Sequence, residues 1–123
     1  MNEKTILVVE DDTSVRYALS VFLEIAGINF IEAMDGTEAL HQLATNKFDL
    51  ILCDINLPDI LGYEILKQVR SNTNIAHLPF IFLTAYADMR DVNKGLELGA
   101  NDYLTKPFSN KQLIDTVNKW LQI

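Results

Sequence analysis

The sequence predicts an α/β domain built on a doubly wound, five-stranded parallel sheet, and three observations carry that expectation. Short apolar runs alternate along the chain with stretches of helical period, the pattern of βαβ units whose right-handed crossovers make a parallel sheet. The strand runs are apolar on both faces, Leu50-Ile51-Leu52-Cys53 most completely, as in a sheet covered on both sides. Four runs end in a residue suited to phosphate or metal chemistry: Ile6-Leu7-Val8-Val9 leads into Glu10-Asp11-Asp12, Cys53 into Asp54, Phe80-Ile81-Phe82-Leu83 into Thr84, and Tyr103-Leu104-Thr105 into Lys106. Ligands of open α/β sheets bind beyond the carboxyl ends of the strands, so the four ends are expected to converge on one pocket.

Each element has its own justification. After the first strand, Asp12 or Thr13 can cap a helix in which Val15, Ala18, Leu19, Phe22, Leu23 and Ala26 recur at helical spacing, and Gly27 stops it. Asn29 to Ala33 is the second strand; Asp35-Gly36 turns the chain into a helix from Thr37 to Thr45 with Ala39, Leu40, Leu43 and Ala44 inward. Beyond Asp54, a loop with Pro58 and Gly62 precedes a helix from Tyr63 to Arg70 that buries Ile65, Leu66 and Val69. Ser71 to Pro79 reads as polar loop. The stretch from Asp88 to Leu98 is helical, with only Val92 and Leu96 as its inward set before Gly99. That stripe is thin enough for a loosely held helix. Asp102 to Thr105 is the fifth strand, and Leu113, Ile114, Val117, Trp120 and Leu121 mark the packed face of a final helix from Ser109.

At 123 residues, with 49% hydrophobic and 22% charged residues, the chain is the size of one domain, residues 1–123, able to bury roughly two-thirds of its unfolded surface without a disulfide. Nothing in the first residues has the apolar core of a secretory signal, no run is long enough to span a membrane, and the single cysteine, Cys53, ends a buried run; a cytoplasmic location is expected. The formal charge of −7 argues against direct nucleic-acid binding, which depends on Lys and Arg neutralising phosphates. His41 and His77 lack partners at metal-ligand spacing, so histidine phosphotransfer by this chain itself is not expected. Arg90, Asp91, Lys94 and Glu97 read as a solvated helix face.

If the first and central strands are neighbours, Glu10, Asp11 and Asp54 gather within a few ångströms. Two unit charges about 4 Å apart interact at ~4 kcal/mol for an effective dielectric near 20, so an empty cluster is repulsive. Lys106 supplies one positive charge, and a divalent cation would supply more. A set of hard oxygen ligands with room for water and phosphate suits magnesium or manganese. Asp54, alone at the end of the most apolar run, is the candidate nucleophile toward a phosphoryl group; Glu10 and Asp11 suit the cation, and Thr84 and Lys106 the phosphoryl oxygens. Singly, each has an ordinary alternative: a loop cap, a strand-end hydroxyl, a solvated amine.

The motifs Val8-Val9-Glu10-Asp11, Cys53-Asp54-Ile55-Asn56-Leu57-Pro58-Asp59, Leu83-Thr84-Ala85 and Leu104-Thr105-Lys106-Pro107-Phe108 resemble, in order and spacing, those of the receiver domain of bacterial two-component response regulators. The resemblance covers the whole chain. It implies a flavodoxin-like sheet in the order 2-1-3-4-5, and phosphoryl transfer to Asp54 from a histidine kinase or histidine phosphotransfer protein. It further implies magnesium binding by Glu10, Asp11, Asp54 and the backbone carbonyl of Asn56, and phosphoryl contacts from Thr84, Ala85 and Lys106. A cis Lys106-Pro107 bond is implied too, as is a switch in which Thr84 moves inward, Tyr103 follows, and the face of the fourth helix and fifth strand is remodelled for a downstream protein or fused output domain. On the residues alone, Tyr103 is an ordinary strand tyrosine. Asn56 and Tyr86 match positions that tune phosphoryl lifetime in that family.

Two departures stand out: Leu61 replaces the acid common before Gly62, and Ser109-Asn110-Lys111-Gln112-Leu113 lacks the Glu-Leu-x-Ala-Arg run typical of receivers fused to winged-helix DNA binders. A receiver catalyses only its own phosphorylation and dephosphorylation, so no enzyme acting on other substrates is expected. A haloacid-dehalogenase-type phosphohydrolase would need Asp-x-Asp at the first strand end and a cap domain, and a nucleotide binder would need a glycine-rich loop; the chain has none of these. A receiver-like interaction module that works without phosphorylation is the remaining alternative, though such modules usually lose one of these key residues.

Overall fold

The computed structural model describes residues 3–85 and 89–122. Its elements are β1 (Thr5–Val9), α1 (Thr13–Ile25), β2 (Asn29–Ala33), α2 (Gly36–Thr45), β3 (Leu50–Asp54), α3 (Gly62–Ser71), β4 (Phe80–Ala85), α4 (Met89–Glu97), β5 (Asp102–Lys106) and α5 (Asn110–Leu121). The strands pair in parallel in the order β2-β1-β3-β4-β5. The chain leaves β1 toward β2 and returns across it to β3, which puts the topological switch between β1 and β3. Val9 pairs with Cys53, so Glu10 and Asp54 follow side by side at the rim. Asp54 pairs with Leu83, and Ala85 with Lys106.

Alternation along the strands divides the core in two. Ile6, Val8, Leu50, Leu52, Ile81, Leu83 and Leu104 pack with Leu19 and Leu23 of α1 and Leu113, Val117 and Leu121 of α5. Leu7, Val9, Ile51, Cys53, Phe80 and Phe82 pack with Ala39 of α2 and with Tyr63, Ile65, Leu66 and Val69 of α3. Both faces are covered, and every residue of β3 is buried.

The helix ends follow their capping chemistry. Asp12, not Thr13, caps α1 by accepting from the amides of Ser14 and Val15; Asp35 caps α2 through the Glu38 amide; Ser109 and Gln112 form a capping box on α5. Gly36, expected in a turn, is the first residue of α2. Ala44, expected inward, is exposed.

The larger corrections concern α4 and the segment before β4. Val92 is buried, but Leu96 is 41% exposed. Gly95 takes the inward place instead: a Cβ there would lie 2.6 Å from a ring carbon of Phe82, so the helix backbone itself rests on the ring and turns Leu96 outward. Asp91 and Lys94 are not simply solvated, because the Tyr63 hydroxyl donates to the Asp91 carbonyl at 2.9 Å and the Lys94 ammonium sits 4.7 Å above the Tyr63 ring centroid. Between α3 and β4, Leu78 is buried and Ile75 packs on the core. That segment is held by Arg70, whose guanidinium donates to the carbonyls of Ala76, Leu78 and Gly99 and to the Asn101 side chain. Asp88 and Tyr86 lie outside the described residues. No described helix is long and apolar enough to cross a membrane.

Gly62 opens α3 against the acceptor strand: an added Cβ would stand 2.4 Å from the Asp54 carbonyl oxygen and 3.0 Å from Ile55 Cα. Backbone cannot swing aside as a flexible side chain can. Gly62→Ala is therefore expected to destabilise the fold by about 1–3 kcal/mol, read as a lowered urea midpoint with unchanged slope.

Candidate functional site

The site lies where β1, β3 and β5 leave the sheet. Glu10 is 0% exposed and Asp54 8%, while Asp11 is exposed. One ligand oxygen from each of Glu10, Asp11 and Asp54 can be chosen so that all lie within 4.8 Å of one another, a spacing a divalent cation can span. The Lys106 ammonium reaches into the same place, 2.6 Å from Glu10 Oε1 and donating to Asp54 Oδ2 at 3.0 Å. On the remaining oxygens of those two acids, Asp54 Oδ1 accepts from the Asn56 amide at 3.1 Å, and Glu10 Oε2 from the Asp12 amide at 3.1 Å.

Three acids share one ammonium here, and one of them is wholly enclosed. Burial, reinforced by the charge on Asp54 and opposed by Lys106 and the Asp12 amide, pushes the Glu10 carboxyl up to about 7. Burial alone would lower the Lys106 ammonium, but its pairing with Glu10 and Asp54 outweighs that and raises it. Lys106 therefore stays charged. Asp12, hydrogen-bonded by the Ser14 hydroxyl and the amides of the first helical turn, is held low.

The other expected residues fall as follows. Thr84 is buried one residue beyond the partner of Asp54 on β4, and its hydroxyl makes a long bond of 3.4 Å to the carbonyl of Ala85. Ala85 is exposed and pairs with Lys106. Asn56 is exposed at the start of the loop after β3. Tyr103 is half-buried on β5, packed against the core layer of α2 and α3 and paired with Phe82. The Lys106-Pro107 peptide bond is cis.

Sequence reasoning overlooked Arg16. Its guanidinium donates to the carbonyls of Glu10 at 2.9 Å and Asp11 at 3.2 Å and lies 3.5 Å from Glu32, fixing the loop that carries the two acids. A signal was present. A cation in the first turn opposes the helix dipole, so its position calls for a partner outside the helix.

The family model for the response regulator receiver domain matches residues 6–118. The alkaline phosphatase synthesis transcriptional regulatory protein PhoP of Bacillus subtilis is 45% identical over 113 residues, 92% of this chain and 46% of PhoP. This chain spans about half the length of the curated relatives it matches. A putative response regulator from Chloroflexus aurantiacus superposes with a TM-score of 0.95 at 39% identity, covering 99% of this chain and 100% of that one. The receiver domain of a sensor histidine kinase of Pseudomonas aeruginosa, solved with a magnesium ion coordinated in its active-site cleft, superposes with a TM-score of 0.90 at 31% identity over 99% and 100%.

The raised Glu10 carboxyl fixes the sign of a pH dependence. Between its ordinary range near 4.5 and about 7, the folded chain holds a proton that the unfolded chain has lost, so stability falls as pH rises through that window. In chelator, the urea midpoint of the parent is expected to decline from pH 5 to pH 7. Glu10→Gln should flatten that slope; an unchanged slope would show that Glu10 is not its source.

Proposed function

The chain belongs to the response regulator receiver domain family, and from that membership we propose that Asp54 is its phosphoacceptor, charged by the phosphohistidine of a histidine kinase or histidine phosphotransfer protein. The observation that carries this reading is the Lys106 ammonium on Asp54 Oδ2 beside the buried Glu10. A carboxylate oxygen of Asp54 attacks phosphorus, the phosphorus–nitrogen bond breaks, and its electron pair leaves with the imidazole, which takes a proton from solvent. The product is an acyl phosphate on Asp54. Lys106 neutralises charge on the transferring oxygens, with Thr84 and Ala85 as further contacts.

Glu10, Asp11, Asp54 and the Asn56 carbonyl would hold magnesium, or manganese, and the hard, negative donor set fits such an ion. When bound, it would neutralise phosphoryl charge as a Lewis acid. The 3.4 Å bond of the Thr84 hydroxyl is weak, so the hydroxyl is cheaply released toward a phosphoryl group, and Tyr103 and α4 would follow as the switch. The role is signalling: the chain turns over only its own phosphoryl group, in the cytoplasm, as a single receiver over residues 1–123, and passes its state to a downstream protein or fused output domain.

Magnesium with acetyl phosphate is expected to add one base-labile phosphoryl group to the parent and none to Asp54→Asn, read by intact-protein mass spectrometry. Equal labelling of both would defeat the assignment. Millimolar magnesium should also raise the unfolding midpoint of the parent at neutral pH.

A further inference from the structure

We propose that Asp59 is a positioning residue for Asp54: by strapping the loop between β3 and α3 to the first turn of α2, it fixes the Asn56 amide that orients the acceptor carboxylate. The proposal rests on the reading of Asp54 as acceptor. The orientation of that carboxylate depends on two donors, Lys106 on Oδ2 and the Asn56 amide on Oδ1. Lys106 ends a strand of the sheet and is fixed with it. Asn56 belongs to a loop, so the loop is the adjustable half of the arrangement.

What holds the loop is a carboxylate with four donors. Asp59 Oδ1 accepts from the amides of Gly36 at 2.8 Å and Ile60 at 2.9 Å, and Oδ2 from the Thr37 amide at 2.8 Å and the Thr37 hydroxyl at 2.7 Å. The Thr37 hydroxyl foremost, with these amides, keeps the Asp59 carboxyl well below the usual range, so the strap stays ionised wherever the protein is folded at neutral pH. Asp35 already caps α2 at the Glu38 amide; Asp59 takes the two amides that this cap leaves. An apolar contact adds a second point of attachment. Ile60 occupies the space that a side chain on Gly36 would need, its Cγ1 2.2 Å from where a Cβ would be. At its ends the loop is tied back on itself, Gly62 donating to the Ile55 carbonyl at 2.7 Å and Asn56 bridging to Leu61. A displacement at Asp59 and Ile60 is thus passed to Asn56 across that bridge.

The test compares Asp59→Ala, Asp59→Asn and Asp35→Ala with the parent, each as the full chain. Phosphoryl uptake is timed with acetyl phosphate at saturating magnesium, and the Asn56 amide is followed by NMR. Asp59→Ala is expected to slow uptake about tenfold, the lower end of the loss seen when a supporting group is removed, and to shift the Asn56 amide and speed its hydrogen exchange. Asp59→Asn, which keeps an acceptor oxygen, should recover part of both. Asp35→Ala removes the other cap of α2 and should lower the melting midpoint while leaving uptake and the Asn56 amide at parental values. If Asp59→Ala behaves as Asp35→Ala does, Asp59 is only a helix cap and the proposal is overturned. A parent that takes up no phosphoryl group, with the Asn56 amide still displaced in Asp59→Ala, would sink the acceptor reading and support the strap.

Discussion

The Lys106 ammonium, placed between Glu10 and Asp54, is the contact on which the site depends. Glu10 is fully enclosed, and a carboxylate taken out of water is tolerated only if it is paired or protonated. Lys106 does the first for two acids at once, and burial still pushes the Glu10 carboxyl up, with the charge on Asp54 adding to it. Removing it would leave two enclosed acids facing each other, which is costlier than the pair itself is stabilising. The same imbalance makes the place receptive to a metal ion.

The alternation of the strands gives this chemistry a sidedness. Glu10, Asp54 and Lys106 continue the rows of Val8, Leu52 and Leu104, which belong to the layer under α1 and α5. Thr84 continues the row of Phe82, and Tyr103 packs on that layer beneath α2 and α3. Charge is gathered on one face of the sheet's rim, and the Thr84 hydroxyl and the Tyr103 ring stand on the other. β4 contributes to both, Leu83 to the layer under α1 and α5 and Phe82 and Thr84 to the other.

The architecture was legible because the apolar runs are short, regularly spaced and closed by capping residues whose partners lie within a turn. The acid cluster was legible for a related reason: strand ends are fixed by periodicity, so residues at four ends must meet. Contacts set by close approach were not. Gly95 carries no side chain to enter a helical stripe, yet it takes the inward place expected of Leu96, because only backbone fits against the Phe82 ring. Arg70 and Asp59 act on partners that are distant in sequence or belong to the backbone, and no pattern of spacing announces those; Arg16 announced only that it needed a partner outside its helix, not which one.

The Arg70 guanidinium has a mechanical consequence for α4. It is bonded to Gly99 just past the C-terminal end of that helix and, through Ala76 and Leu78, to the segment that precedes β4. Sliding α4 along its axis would strain the Arg70 bonds to Gly99, and tilting it about Gly99 would strain the Tyr63 hydroxyl bond to the Asp91 carbonyl. The helix is thus moored to α3 at two places, through Tyr63 near its start and Arg70 behind its end, so displacing it must carry α3 along or break one of those ties.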